Sequence, residues 1–189
     1  IKVPRLGGVG FFSGLIIAIL LFVDVIDYRG FGGLIAGLFV LFLVGLKDDI
    51  LIIAPATKLI GQLIATAVII VFGNTHITNL HGFFGIQEIH WTLGIFLTFF
   101  VFIVTINAFN FIDGIDGLSS SIGFVVSVTF GIWFFLVEET NLAIIAFSLS
   151  ASLLAFMRYN LFSVRKKIFM GDTGSMVIGF VISFLAVKF

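Results

Sequence analysis

Long apolar runs separated by short polar stretches follow one another along the whole chain. Seven such runs can be marked, at 8–23, 31–46, 59–72, 91–106, 122–137, 142–157 and 176–187. The apolar positions are continuous instead of alternating, which excludes the strands of a membrane β-barrel. A helix needs about 20 apolar residues to span a bilayer, although about 17 can serve, and uncharged flanks extend several of the runs. The pattern therefore predicts an all-α fold, a polytopic integral membrane helical bundle with about seven transmembrane helices.

Composition supports a membrane protein and narrows its chemistry. Of 189 residues, 60% are hydrophobic and 11% charged, against about 25% charged in a soluble domain. The net charge is zero, so no attraction to nucleic acid is expected. Cysteine is absent, which removes disulfides and thiolate metal sites. We expect one membrane-embedded domain over 1–189, and because the chain starts without Met and ends inside an apolar run, we expect it to be a fragment of a longer chain.

The charged residues predict the topology. If the apolar runs cross the membrane in alternating directions, eight basic residues fall on one side: Lys2, Arg5, Lys47, Lys58, Arg158, Arg165, Lys166 and Lys167. Only Arg29 and Lys188 fall on the other. The first side is then cytoplasmic by the positive-inside rule. The same alternation places Asp48, Asp49, Asp113, Asp116 and Asp172 on the cytoplasmic face, and Asp24, Asp27, Glu88, Glu138 and Glu139 on the opposite face.

The polar stretch NAFNFIDGIDGL at 107–118 interrupts the apolar pattern most heavily. Its polar residues are Asn107, Asn110, Asp113 and Asp116, one at every third position. Three residues turn a helix by about 300°, which leaves each polar residue about 60° short of the one before, so a continuous helix would point the first and last of them to opposite sides. Gly114 and Gly117 allow the helix to end. A carboxylate at a helix centre costs about 2.5 to 3.5 kcal/mol, so the group indicates function more than a capped helix end.

Two further acidic clusters belong to the same predicted face. Asp48 and Asp49 are adjacent, so they cannot share a helix face, and a cation could relieve their repulsion. Asp172 is bracketed by Gly171 and Gly174, where backbone amides and one oxygen ligand could meet a phosphate and its metal. A solvated loop and a helix cap are the alternative interpretations of these two clusters. Together the clusters favour Mg²⁺, with Mn²⁺ as a substitute, and a diphosphate substrate.

The remaining features predict structure more than chemistry. The connection at 73–90 has the Thr, Ile, Phe and Gly content of a short hairpin, and the spacing of His76, His81 and His90 does not match a zinc site. The pairs Gly10 with Gly14 and Gly33 with Gly37 predict close approach of neighbouring helices.

Four motifs together carry a family resemblance: PRLGG at 4–8, GLKDDILIIAPATKLIGQ at 45–62, NAFNFIDGIDGL at 107–118 and FMGDTGS at 169–175. They occur in the order seen in the polyprenyl-phosphate N-acetylhexosamine-1-phosphate transferases, of the glycosyltransferase family 4 type. The chain resembles this family over nearly its whole length. PRLGG and DDILIIAPATK look more like the GlcNAc branch than the phospho-MurNAc-pentapeptide translocase branch, in which a Thr-Met pair usually replaces Arg-Leu.

The resemblance implies a role for each cluster. Asp172 corresponds to the Mg²⁺ ligand, and Asp48 and Asp49 to the catalytic acidic pair that activates the lipid phosphate or assists the metal. The substrate-binding residues implied are Asn107, Asn110, Asp113 and Asp116 on the nucleotide side, Phe169 stacked on uracil, and Lys2 and Arg5 as basic contacts. The family's histidine-rich loop, which helps to recognise the sugar nucleotide, and its preceding helices have no counterpart between residues 1 and 189.

The resemblance also implies the reaction and its setting. The expected enzyme transfers a sugar 1-phosphate, GlcNAc 1-phosphate in the first instance, from a UDP-sugar to undecaprenyl or another polyprenyl phosphate and releases UMP. This would be the first membrane step of cell-envelope polysaccharide synthesis, in the bacterial inner membrane with the site facing the cytoplasm. The resemblance leaves open whether the protein forms a homodimer. The alternatives are a phospho-MurNAc-pentapeptide transferase, a CDP-alcohol phosphotransferase, whose motif spacing is not found, and an ion-coupled transporter, which predicts acids at mid-helix.

Overall fold

The computed structural model describes residues 7–24, 30–51, 53–82, 85–161, 163 and 167–189. Within these ranges the chain forms seven α-helices, one at each predicted apolar run. They are α1 (Gly7–Phe22), α2 (Phe31–Leu51), α3 (Pro55–Gly73), α4 (Trp91–Ile112), α5 (Leu118–Leu136), α6 (Thr140–Asn160) and α7 (Gly171–Lys188). The predicted all-α fold is confirmed.

Proline, asparagine and glycine residues mark several of the helix ends. Pro55 opens α3, and Asn74, at φ 44°, follows its last residue; proline suits a first turn because it has no N–H to satisfy there. Between α4 and α5 the helix stops at Ile112, and Gly117 adopts φ 73° immediately before α5. The prediction that the helix is interrupted within 107–118 is therefore confirmed, with the left-handed conformation that favours glycine at Gly117, where α5 begins.

Consecutive helices alternate in direction. At one end of the bundle, Lys58 in the first turn of α3 lies 3.0 Å from Asp172 in the first turn of α7. At the other end, the backbone N–H of Asp24, just after α1, donates to Oδ1 of Asn141 in the first turn of α6 at 2.9 Å. The alternation places five aspartates at the first of these ends, as predicted: Asp48, Asp49, Asp113, Asp116 and Asp172.

Helix α7 forms the centre of the bundle. Of its residues, 72% are buried, against 22 to 50% in the comparable stretches of α3 to α6. It is apolar on all sides in its second half, as expected of a helix surrounded by others. Gly179 lets α4 come very close, because a Cβ there would lie 2.5 Å from Cα of Ile106. The start of α7, with Asp172, is therefore fixed by packing along the whole helix.

The predicted glycine contacts are confirmed for one pair and wrong for the other. A Cβ on Gly33 would lie 2.6 Å from Cα of Gly73, and one on Gly37 would lie 3.1 Å from the carbonyl oxygen of Ala65, so α2 and α3 touch through these glycines. At Gly10 and Gly14, a Cβ would meet no described atom within 4 Å. Those two glycines face open space beside α6, because α1 presents a different face to its neighbours.

The outer surface of the bundle fits a membrane. By length and composition, five helices among the described residues, α3 to α7, could cross one. α1 is apolar and has 16 residues. Large apolar side chains are exposed around the bundle, among them Leu21, Phe96 and Phe135, on a scale that soluble proteins rarely show. The protein is a multi-pass membrane protein.

The connection between α3 and α4 pairs with itself as predicted. Asn79 and Glu88 form an antiparallel bridge, and the N–H of Leu80 donates to the carbonyl oxygen of Gln87 at 2.7 Å. This short hairpin lies at the end of the bundle opposite the five aspartates, so its histidines take no part in the acidic site.

Candidate active site

The ends of four helices surround one cavity of about 720 Å³. The last turns of α2 and α4 and the first turns of α3 and α7 contribute its walls. Its charged and amide side chains are Asp48, Asp49, Lys58, Asn107, Asn110, Asp113 and Asp172. The predicted convergence of three acidic clusters that lie far apart in sequence is thus confirmed. The arrangement follows from the alternation of the helices, which brings these four ends to the same side.

Asp48 faces α3 and is held from two sides. Because adjacent residues lie 100° apart on a helix, Asp48 and Asp49 point in different directions from the last turn of α2. Asp48 is only 5% exposed. Its Oδ1 accepts a hydrogen bond from the N–H of Ile53 at 2.7 Å, and its Oδ2 lies 2.6 Å from Nζ of Lys58. Both oxygens of this carboxylate are therefore occupied.

Asp49 faces the other way and caps α7. Its Oδ1 accepts from the N–H of Asp172 at 2.8 Å, and its Oδ2 accepts from the N–H and the hydroxyl of Thr173 at 3.1 and 2.5 Å. A carboxylate at this place satisfies N–H groups that have no partner within the helix and interacts with the positive end of the helix dipole. Gly45 permits the contact, since a Cβ there would lie 2.8 Å from the nitrogen of Thr173.

The cap formed by Asp49 changes the prediction for the backbone amides of α7. The backbone amides at the start of α7 were expected to meet a substrate phosphate. Two of them donate to Asp49 instead. The start of α7 is therefore a place where Asp49 fixes the helix, and the side chain of Asp172 is what it presents to the cavity.

The Asp172 carboxylate accepts hydrogen bonds from two other helices, α3 and α4. Its Oδ1 accepts from Nζ of Lys58 at 3.0 Å and from Nδ2 of Asn110. Asn110 also donates to Oγ of Ser175 at 3.0 Å, one turn along α7. The carboxylate is close enough to Asp48 for the two to interact directly. Asp48 and Asp172 thus form a pair with Lys58 between them.

Asp113 follows the last residue of α4 and is partly buried at the cavity wall. Its Oδ1 accepts from the hydroxyl of Ser119 at 2.5 Å. The pKa of Asp113 is raised from 3.8 to about 6, chiefly by burial and also by the negative charges of Asp172 and Asp49, while the hydrogen bond from Ser119 and the nearby N–H of Gly171 act in the opposite direction. This carboxyl group is poised to gain a proton slightly below neutral pH.

The other predicted substrate-binding residues occupy different places. Asn107 exchanges hydrogen bonds with the buried Gln62, with Nδ2 of Asn107 donating to Oε1 of Gln62 at 2.8 Å. Phe169 lines the cavity, with Nζ of Lys167 5.5 Å from its ring centre. Asp116 is exposed, is absent from the cavity wall and forms an ion pair with Lys167.

The predictions for Lys2 and Arg5 fall outside the described residues. Sequence reasoning gave no role to four residues that the structure places in this network: Lys58, Gln62, Ser119 and Thr173. A lysine in the first turn of an apolar helix was the available signal for Lys58, since burying a charge beside hydrocarbon is costly.

The cavity chemistry fits a divalent cation. Four carboxylates and one ammonium line it among the described residues, so the wall is negatively charged and would repel a diphosphate. No three Asp, Glu or His side chains in the described part of the chain could enclose a metal by themselves. Mg²⁺ commonly binds through one or two carboxylates together with substrate phosphates. Asp172 and Asp48 supply such oxygens, and a cationic group, the ammonium of Lys58, already lies between them.

A multi-pass helical bundle with a carboxylate-lined cavity where its helix ends meet defines the class: a membrane protein with an acidic, polar site at one end of the bundle. Residues 31–189 match the family described as glycosyl transferase family 4, and the chain belongs to this family. The predicted family is confirmed.

Similar curated proteins are bacterial. The undecaprenyl-phosphate alpha-N-acetylglucosaminyl 1-phosphate transferases of Escherichia coli O157:H7 and Salmonella typhi are 32% and 33% identical over 189 residues, which covers 98% of this chain and 51% of each relative. The phospho-N-acetylmuramoyl-pentapeptide-transferase of Thermoanaerobacter sp. strain X514 is 31% identical over 195 residues, covering 97% of this chain and 60% of the relative. The chain thus spans about half to three fifths of the length of these relatives.

Proposed function

We propose that the protein transfers a sugar 1-phosphate from a UDP-sugar to a polyprenyl phosphate at the membrane surface and releases UMP. The observation that carries the proposal is the convergence of Asp48, Lys58, Asn110 and Asp172 at one cavity in a chain of this family. The relatives named for undecaprenyl phosphate and N-acetylglucosamine favour GlcNAc 1-phosphate as the group transferred. The phospho-MurNAc-pentapeptide donor is the second candidate, because a relative of similar identity carries that name.

In the proposed reaction, an oxygen of the lipid phosphate attacks the β-phosphorus of the UDP-sugar. The bond between the β-phosphorus and the oxygen bridging to the α-phosphate breaks, and its electron pair leaves with UMP. The lipid then carries a diphosphate linked to the sugar. Asp48 is 5% exposed and its Oδ1 is held by the N–H of Ile53, so a substrate phosphorus has little access to it, which favours direct attack over a covalent Asp48 intermediate.

We assign the residues as follows. Asp172 and Asp48 would hold Mg²⁺, which when bound supplies positive charge for the phosphate oxygens. Asn110 orients Asp172, and Asp49 is a positioning residue that acts by fixing the start of α7. Asp113 and Phe169 line the side of the cavity where we place the nucleotide. Asn107 lies deeper, bonded to Gln62, and Asp116 would reach a substrate only after leaving Lys167.

The setting that we propose is the bacterial inner membrane, with the cavity facing the cytoplasm and the seven helices forming one transferase domain. The basic residues near the cavity end support this orientation by the positive-inside rule. An ion-coupled transporter is disfavoured, because Asp49, Asp113 and Asp172 lie at helix ends and not at mid-helix.

The test is UMP release by the purified full-length protein from UDP-GlcNAc and undecaprenyl phosphate in Mg²⁺. Asp172→Asn should lower turnover by at least about a hundredfold, the size of effect seen when a group that stabilises transition-state charge is removed. Glu88→Gln, at the opposite end of the bundle, is the matched control and should leave turnover unchanged. Undiminished turnover in Asp172→Asn would overturn the metal assignment. Release of UMP only from UDP-MurNAc-pentapeptide would select the second candidate.

A further inference from the structure

We propose that Lys58 is a built-in counter-cation of the metal site, which a divalent cation must displace from Asp172 in order to bind. This inference rests on the proposed function for the identity of the metal ligands. The ammonium of Lys58 lies 2.6 Å from Oδ2 of Asp48 and 3.0 Å from Oδ1 of Asp172. It thus bridges the same two carboxylates that would hold the metal.

The other two carboxylates of the cavity differ in the nature of their partners. Asp49 is bonded to backbone amides and a hydroxyl of α7, and Asp113 is bonded to the hydroxyl of Ser119. The amides among these donors cannot leave without unwinding the start of α7, and all of these donors are neutral groups. The ammonium of Lys58 stands at the end of a flexible four-carbon side chain. Only at the Asp48–Asp172 pair, among the described cavity carboxylates, is a positive charge supplied by a group that can move.

The side chain of Lys58 borders open space in the cavity. Its side chain is 22% exposed and lines the cavity from the first turn of α3. When a divalent cation takes the place between the carboxylates, like charges repel and the ammonium moves toward the cavity interior, where a substrate phosphate would lie. The same residue therefore relieves repulsion between Asp48 and Asp172 in the absence of metal and faces the phosphates in its presence.

Competition of this kind has a measurable consequence without any substrate. If Lys58 and the metal share one place, removing the ammonium should strengthen cation binding, because the two carboxylates are then left unneutralised. If Lys58 only positions the carboxylates, removing it should weaken cation binding or leave it unchanged. The couplings between linked binding events are commonly about 5- to 150-fold, so we expect an increase in affinity of at least about tenfold.

The experiment is a titration of Mn²⁺ against the purified full-length protein in detergent, without nucleotide or lipid, with free Mn²⁺ read by electron paramagnetic resonance. Lys58→Gln should bind Mn²⁺ at least about tenfold more tightly than the wild type. Lys58→Arg, which keeps the charge, should not bind more tightly. Lys167→Gln is the matched control, because Lys167 pairs with Asp116 away from the cavity wall, and it should bind as the wild type does. Equal or weaker binding by Lys58→Gln would overturn the proposal.

A second measurement, the melting temperature, tests whether Lys58→Gln is still folded. In EDTA this variant should melt at a lower temperature than the wild type, and Mn²⁺ should restore its melting temperature, since the cation replaces the missing charge. A lowered melting temperature that Mn²⁺ does not restore would contradict the proposal. Failure of UMP release would count against the proposed reaction and not against this one, because neither measurement here involves a substrate.

Discussion

Replacing Asp113 by Asn should stabilise the protein at neutral pH and not at acid pH. The pKa of Asp113 rises from 3.8 to about 6, chiefly because the carboxyl is buried at the end of α4. The folded state therefore prefers the neutral form. The stability that this preference supplies is fully present below about pH 4 and is lost as the pH rises through about 6. Asparagine keeps the neutral shape and an acceptor for Ser119 at every pH.

The expected size follows from the two pKa values. The difference between 3.8 and about 6 corresponds to about 3 kcal/mol, and solvent screening of the partly exposed carboxyl reduces this to about 2 kcal/mol. We therefore expect Asp113→Asn to raise the free energy of unfolding by about 2 kcal/mol at about pH 8, and by much less at about pH 4.5.

The assay is reversible unfolding in mixed micelles with SDS as the denaturant, with EDTA present so that no metal lowers the pKa of Asp113. Wild type and variant are compared at each pH, which cancels the titration of other groups. Ser119→Ala tests the same reasoning in the opposite direction. It removes a hydrogen bond that favours the charged carboxylate, so it should cost more stability at about pH 8 than at about pH 4.5. A gain from Asp113→Asn that is the same at both pH values, or a loss at the higher one, would refute the reasoning.

Substitutions at Asp49 and Gly179 test the packing of α7 by the same unfolding assay. Asp49→Ala removes the cap of α7 and should lower the free energy of unfolding by about 2 kcal/mol, with Asp49→Asn losing less because one acceptor oxygen remains; equal losses in the two variants would count against the cap. Gly179→Ala places a Cβ 2.5 Å from Cα of Ile106 and should cost about 1 to 3 kcal/mol. Gly10→Ala is its control, because no described atom lies within 4 Å, and a helical alanine should there be neutral or stabilising by up to about 1 kcal/mol. The packing argument fails if the two alanines have the same effect.

The sequence pattern was sufficient for the helices and for which of their ends lie together. Continuous apolar runs have one stable solution in a bilayer, since every backbone group must be bonded within the segment. Glycine at 117 and proline at 55 then mark where helices begin. Once seven helices alternate, the convergence of Asp48, Asp113 and Asp172 at one end follows from chain order alone, without knowledge of any contact.

The pairings within the site depend on helix rotation, which local pattern does not encode. That Asp48 and Asp49 diverge is predictable from the 100° step between them, but which one meets α7 depends on how α2 packs through Gly45. The role of Asp49 as a cap and the position of Lys58 between two carboxylates are both consequences of that packing. For the same reason, the sequence did not predict that Asp116 pairs with Lys167.

The most direct test of the proposed sugar 1-phosphate transfer follows the β-phosphorus of the UDP-sugar. The purified full-length protein is given undecaprenyl phosphate and UDP-GlcNAc that carries radioactive phosphorus at the β position, and lipid and aqueous fractions are separated after the reaction. Transfer of sugar 1-phosphate predicts that the label moves into the lipid fraction in amounts equimolar with UMP, and that Asp172→Asn lowers both by at least about a hundredfold. Label that stays in the aqueous phase as UDP while sugar reaches the lipid would show transfer of the sugar alone and would contradict the account.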